Sequence, residues 1–289
     1  MTKLEYRFTN DTLFKTLFVK YQDLLKRLVA ELLRIQFESI GQFEVTNPEM
    51  QPEILGDKFC RLDINMTVDG QRVDLEIQVK DEGDYPERSL YYWAREYSTA
   101  LGEGEDYQEL PRTVIISIIA FKLFDCAEFH SEFQPLEVTR HTPLTDKMSM
   151  HYFELPKLPE VVSADDELKL WLTLFRAETE EELKRIEAMG VSVVGQAINA
   201  YRHITATDEF KEMERMRSRA RHNEAAALRH AAEVERGKWQ VVVAEKDAAL
   251  TEKDAALTEK DAALSEKDAV LAKQAALIVE LRKQIHEGS

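Results

Sequence analysis

Apolar residues recur along the first 160 positions with two different periods, and each switch of period marks a predicted element. Leu13, Phe14, Leu17, Phe18, Leu24, Leu25, Leu28 and Leu32 fall three or four apart or at multiples of that spacing. They predict one amphipathic helix, capped by Asn10 or Thr9 and running to about Leu33. A short strand is predicted at Phe43–Thr46. Phe59–Val68 and Gln71–Lys80 alternate instead with period two. Between them stands Asp69-Gly70, the pair a type I′ hairpin turn selects because both positions need positive φ. A further helix opens at Asp84-Tyr-Pro-Glu, a capping-box variant with Pro in its first turn, and stops at Gly102 after Leu101. Thr113–Phe121 is a strongly apolar stretch that reads as a strand, and Met148–Phe153 reads as another. The order α-β-β-β-α-β predicts a mixed α/β domain.

Beyond residue 160 the pattern becomes helical throughout. Asp165–Phe175, Thr179–Met189 and Val191–Ile204 are three short amphipathic segments. Thr179-Glu-Glu-Glu carries the capping-box spacing, and Gly190 ends that helix. Asp208–Gln240 is helical and highly charged. Its basic cluster of Lys211, Arg215, Arg217, Arg219, Arg221 and Arg229 is interrupted by Glu212, Glu214 and Glu224, which reads as a solvated face. From Glu245 the heptapeptide Glu-Lys-Asp-Ala-Ala-Leu-Thr recurs near-exactly at Glu252, Glu259 and Glu266, predicting a long helix. Leu250, Leu257, Leu264 and Leu271 make a single stripe. The positions three and four residues on are Lys253 and Asp254, a poor seam for a coiled coil. A solvated stalk and a self-association element both remain open. The expected division is residues 1–160, a helical region 161–240 and a heptad tail 241–289.

Composition narrows the function classes. The 289 residues are 44% apolar, enough for a full core. The most apolar stretch, Val114 to Phe121 with Ser117 as its one polar residue, is far short of the ~20 residues a membrane helix needs. Met1–Arg7 leads into an amphipathic pattern without a signal-peptide profile. Cys60 and Cys126 make neither a disulfide framework nor a metal spacing, which fits a reducing cytoplasm. There are 38 basic and 54 acidic side chains, a net charge of −16. From Glu245 onward 10 acidic and 7 basic residues contribute −3, so −13 lies upstream. Such a balance argues against gripping nucleic acid through an overall field.

The hairpin supplies candidate chemistry. A two-residue turn pairs Val68 with Gln71, and that register sets Asp63 opposite Glu76 and Arg61 opposite Gln78. Leu62, Ile64, Met66, Val68, Val73, Leu75, Ile77 and Val79 then face the core, while Asp63, Asn65, Asp74, Glu76, Gln78 and Lys80 share the other face. Directly opposed carboxylates, with Cβ atoms roughly 4.5–5.5 Å apart, destabilise a sheet unless a cation lies between them. Magnesium, which takes one or two carboxylates and keeps waters, suits that position. The other reading is a solvated acidic face whose carboxylates meet Arg61, Arg72 or Lys80. In the helix after the hairpin, Leu90, Tyr91, Trp93 and Tyr97 are expected to pack on the sheet. The seven histidines show no metal spacing, and His151 reads as structural.

Arg61-Leu62-Asp63 followed by Leu75-Glu76-Ile77-Gln78 resembles the PD-(D/E)XK nuclease core, with Gln78 where most members have lysine. The surroundings extend the likeness: Asn10-Asp11-Thr-Leu-Phe14-Lys15, Arg88-Ser-Leu-Tyr91-Tyr92, Leu101-Gly102 with Tyr107, Leu144-Thr-Asp146, and Phe153-Glu154-Leu155-Pro-Lys157. In this order they resemble the recombination-promoting nuclease family, the transposase branch of the superfamily, over about residues 5–240. The resemblance implies a restriction-endonuclease-like α/β core and a DNA endonuclease that uses Mg2+ or another divalent cation and promotes recombination. Asp63 and Glu76 would hold the metal, with the Ile77 carbonyl as a third donor, and Gln78 would orient water or a phosphate oxygen. An amide carries no charge and is no general base, so Arg61 or Lys80 is expected to restore the missing cation. Asp11 and Lys15 match a motif of the first helix, Lys15 being open also to a solvated role. Arg88 reaches either a phosphate or a neighbouring carboxylate. The expected partners are DNA and further copies of the chain, through the nuclease domain or residues 245–289, and no membrane. The alternative is a catalytically weak DNA- or protein-binding regulatory protein assembling through its C-terminal helix.

Overall fold

Asn10 Oδ1 accepts a hydrogen bond from Leu13 N at 2.9 Å and so opens α1, Asp11–Lys20, in a computed structural model that describes residues 2–47, 64–102 and 104–287. The single helix expected to Leu33 is two. Tyr21, at φ −114° and ψ 68°, closes α1 by donating to Leu17 O, and its own carbonyl starts α2, Gln22–Leu33, by accepting from Leu24 N and Leu25 N. The bend comes without Gly or Pro, so the sequence carries no signal for it.

The strands are β1 (Phe43–Val45), β2 (Ile64–Val68), β3 (Gln71–Gln78), β4 (Thr113–Ile119), β5 (His130–Phe133) and β6 (Met148–Glu154). Among the described residues they form a six-stranded sheet in the order β1-β2-β3-β4-β6-β5. The hairpin turns as expected: Asp69 and Gly70 have φ of 47° and 79°, and the β2–β3 ladder runs from Val68↔Gln71 to Ile64↔Leu75 in the predicted register. β3–β4 and β4–β6 pair in parallel, and the outer pairs are antiparallel. Strand β5, too short and polar to be read from the sequence, is the edge next to β6.

The two faces of the sheet are covered differently. One face buries Ile64, Met66, Val73, Leu75, Ile77, Ile116 and Phe153 in a large apolar core with α1 and α2. To that core α4 (Glu167–Arg176), α5 (Glu180–Glu187) and α6 (Ser192–Ala206) contribute Trp171, Phe175, Leu183 and Ile198. The expected capping box at Thr179 and Glu182 is present. Helix α3, Tyr85–Ser98, accompanies a smaller cluster on the other face: Tyr85, Ile115, Ile119, Met150 and Tyr152. A solvated acidic face is one of the two readings open for this second side. Instead Asp74 and Glu76 are 2% and 4% exposed. Three further expectations are corrected. Val79 lies beyond the end of β3 and is exposed; Leu90 and Tyr91 are exposed, α3 burying Tyr85 and Ser89 instead; and Asp84 makes no side-chain cap.

Helix α7, Asp208–Glu287, covers both the charged segment and the heptad repeat. The chain divides into two compact units, Met1–Arg215 and Met216–Ser289. In the second, the described side chains from Ser218 to Val279 are exposed. Among the described residues no helix is long and apolar enough to cross a membrane.

At the β5–β6 edge, His130 Nε2 and His151 Nδ1 are 3.1 Å apart, and His151 Nε2 is 2.8 Å from Ser149 Oγ. Burial pushes His151 down from 6.5 to about 4, with the nearby Glu132 carboxylate opposing the shift and His130, Arg112 and Arg34 adding to it. Because the unfolded chain binds this proton more readily, the contribution to stability is complete above pH 6.5 and declines as pH falls toward 4. Between pH 7.5 and pH 5, urea unfolding is expected to lose about 2 kcal/mol that His151→Gln does not lose. An equal loss in both proteins contradicts this assignment.

Candidate functional site

Glu76 lies near the C-terminal end of β3, the second strand of the hairpin. The parallel register sets Ser117 of β4 beside it, and Tyr152 of β6 beside Ser117. Laterally paired residues point to the same side, so Glu76, Ser117 and Tyr152 form a row under the start of α3. Into that row α3 inserts its first residue. The Tyr85 hydroxyl lies 3.1 Å from Glu76 Oε2 and 2.8 Å from Ser117 Oγ. Burial, and then the Glu76 charge, push the phenol well above its ordinary range, so it remains a neutral donor. A second hydroxyl pair, Ser89 Oγ and Tyr152 Oη at 2.6 Å, ties α3 to β6.

The other predicted residues are placed unequally. Gln78 is on the Glu76 face, and its Nε2 donates to the Lys80 carbonyl at 3.2 Å. Ile77 turns its side chain into the opposite core, and Lys80 is exposed. Arg88 donates to Glu82 Oε2 at 2.6 Å and stands over the Tyr85 ring at 5.2 Å, which favours the carboxylate reading of this residue. Asp11 and Lys15 are on α1, whose apolar side belongs to the core on the other face of the sheet. Asp63 and Arg61 lie outside the described residues. Arg72, one of the cations expected to meet the acidic face, donates to Glu96 O at 2.9 Å and to Thr99, and lies 3.8 Å from the Glu96 carboxylate. Asp74 lines a cavity of about 220 Å3 with Asn65, Arg72, Glu96 and Thr113.

Tyr85 and Ser117 were not anticipated from the sequence. Ser117 did carry a signal, as the single polar residue in Val114–Phe121. Tyr85 sat inside the helix-start pattern and was read there only as part of a cap.

Glu154 and Lys157 shape the loop that follows β4. Glu154 is fully buried; its Oε1 accepts from Leu123 N at 2.6 Å and Phe124 N at 3.3 Å. Lys157 Nζ lies 2.5 Å from Glu154 Oε2 and donates to Phe124 O at 2.8 Å. This clasp fixes the loop whose Phe121 packs edge-on against Tyr85, with ring centroids 6.2 Å apart.

The donors on this face are carboxylate, amide and hydroxyl oxygens, a set that suits a hard cation such as Mg2+. Among the described residues no group of three or more His, Cys, Asp or Glu side chains is placed to hold a metal.

A mixed sheet with helices on both faces, and a buried carboxylate two positions before a polar side chain on one strand, fit an α/β fold of the PD-(D/E)XK type. The chain belongs to the PD-(D/E)XK nuclease family transposase family, whose model matches residues 8–231. That membership points to a function of the nuclease type. No curated protein and no solved structure matches the chain.

Removing one partner of a buried ion pair leaves an uncompensated charge. Lys157→Met is therefore expected to cost about 3 kcal/mol or more in urea unfolding. Arg202→Met, at a pair with side chains 40% and 34% exposed, is expected to cost below about 1 kcal/mol. Equal losses contradict the assignment of the Glu154 clasp.

Proposed function

We propose that the protein is a divalent-cation-dependent DNA endonuclease that hydrolyses phosphodiester bonds and promotes recombination. What supports this most is Glu76, a carboxylate 4% exposed at the end of β3 and held by a hydroxyl, at the motif position of a chain whose family match spans residues 8–231. In this reading Asp63 and Glu76 hold Mg2+ and the Ile77 carbonyl is the third donor. The bound ion would supply charge neutralisation at a phosphoryl oxygen and a more acidic water.

The chain's own groups do the positioning. Tyr85 keeps the Glu76 carboxylate at a fixed orientation. Gln78 can turn its amide from the Lys80 carbonyl to a phosphate oxygen or a water, and it contributes no charge. Positive charge near the phosphate then comes from Lys80 or Arg61. Lys15, Asp11 and Arg88 are accessory in this reading, and Arg88 must leave Glu82 to serve.

The second reading is a catalytically weak DNA- or protein-binding regulator that assembles through its C-terminal helix. The amide at position 78 and the net charge of −16 favour it.

Supercoiled plasmid incubated with the full chain and MgCl2 separates the two. The endonuclease reading expects nicking by wild type that falls to background in Asp63→Ala and in Glu76→Ala. Nicking that persists in both variants overturns the assigned site. Wild type that cuts with no divalent ion tried, yet retards DNA in a gel, favours the regulator.

A further inference from the structure

We propose that Tyr85 makes Glu76 a one-oxygen ligand and thereby sets which divalent cation the site prefers. This rests on the reading of Glu76 as a metal-holding carboxylate. The Tyr85 hydroxyl stands 3.1 Å from Glu76 Oε2 and 2.8 Å from Ser117 Oγ. Tyr85 and Ser117 are both 0% exposed. The phenol has one proton for two acceptors, and an ionised carboxylate draws it, because hydrogen bonds to charged groups are the stronger ones.

The phenol cannot swing aside. Its ring is packed edge-on against Phe121 and Tyr152, both at 6.2 Å between centroids. Its backbone is the first residue of α3, followed by Pro86. Water does not reach the hydroxyl to replace it.

With one lone pair of Oε2 held by Tyr85, chelation through both oxygens is disfavoured and Oε1 becomes the preferred donor to a cation. That geometry discriminates. Calcium takes six to eight oxygens in flexible geometry and accepts a carboxylate through one atom or both, whereas magnesium wants six near-octahedral ligands at shorter distance, an angle that a chelating carboxylate cannot span. A carboxylate with one oxygen reserved is thus matched to the smaller ion. Tyr85 is a positioning residue in this scheme: it acts through Glu76 and touches neither ion nor DNA.

Calorimetric titration of the full chain with MgCl2 and with CaCl2, in the absence of DNA, tests the proposal independently of cleavage. Tyr85→Phe is expected to lower the ratio of Mg2+ to Ca2+ affinity about tenfold, the size of effect that partners of metal ligands have. Ser117→Ala, which removes the competing acceptor and leaves the phenol to Glu76, is expected to hold that ratio at or above the wild-type value. A wild-type ratio in Tyr85→Phe, with Mg2+ binding lost in Glu76→Ala, overturns this proposal and leaves the endonuclease reading standing. A ratio lowered in Ser117→Ala also overturns it. Mg2+ binding unchanged in Glu76→Ala overturns both.

Discussion

A carboxylate carried on a strand that is covered on both faces has to be buried, and Glu76 is in that position. Taking an ion out of water costs several kcal/mol unless other charges or strong donors compensate. The arrangement around β3 answers that constraint. The apolar weight of the fold sits under the opposite face, where Leu75 and Ile77 belong to one core with residues of α1, α2 and α4 to α6. The Glu76 face keeps only a small apolar cluster, interleaved with hydroxyls from Tyr85, Ser117, Ser89 and Tyr152. Stability and polar chemistry are thereby assigned to different sides of one sheet.

The elements that position the site were legible where a local rule acts alone. Asp69-Gly70 dictates a turn with two positive φ values, and the register of β2 with β3 follows from it. Asn10 and Thr179 announce helix starts because a side-chain oxygen satisfies a backbone donor there. What escaped depends on partners distant in sequence. Strict alternation marks Asp74 and Glu76 as facing away from the apolar core, and that is correct; it carries no information on whether something covers them. The cover is supplied by α3 through Tyr85, and by Ser117 across the β3–β4 ladder. The bend at Tyr21 escaped because no residue type there forbids a helix.

Lysine at position 78 would add a charge to this face; the glutamine found there does not. In the proposed reading the site is therefore more acidic than a lysine-bearing one, and its electrostatics lean more heavily on the bound cation. The same holds for the chain as a whole, whose net −16 provides no attraction toward a polyanion. Contact with DNA would have to be local, made by a few donors at the end of β3 and by the ion.

The central claim, that Glu76 is a buried carboxylate held ready for a divalent cation, is tested most directly by thermal unfolding of the full chain in MgCl2 and in chelator. A ligand that binds the folded state alone stabilises it by about 2.7 kcal/mol at a hundred times its dissociation constant, enough to move the midpoint by several degrees. The account predicts that rise for wild type and its loss in Glu76→Ala. An equal rise in both proteins, or none in either, contradicts it.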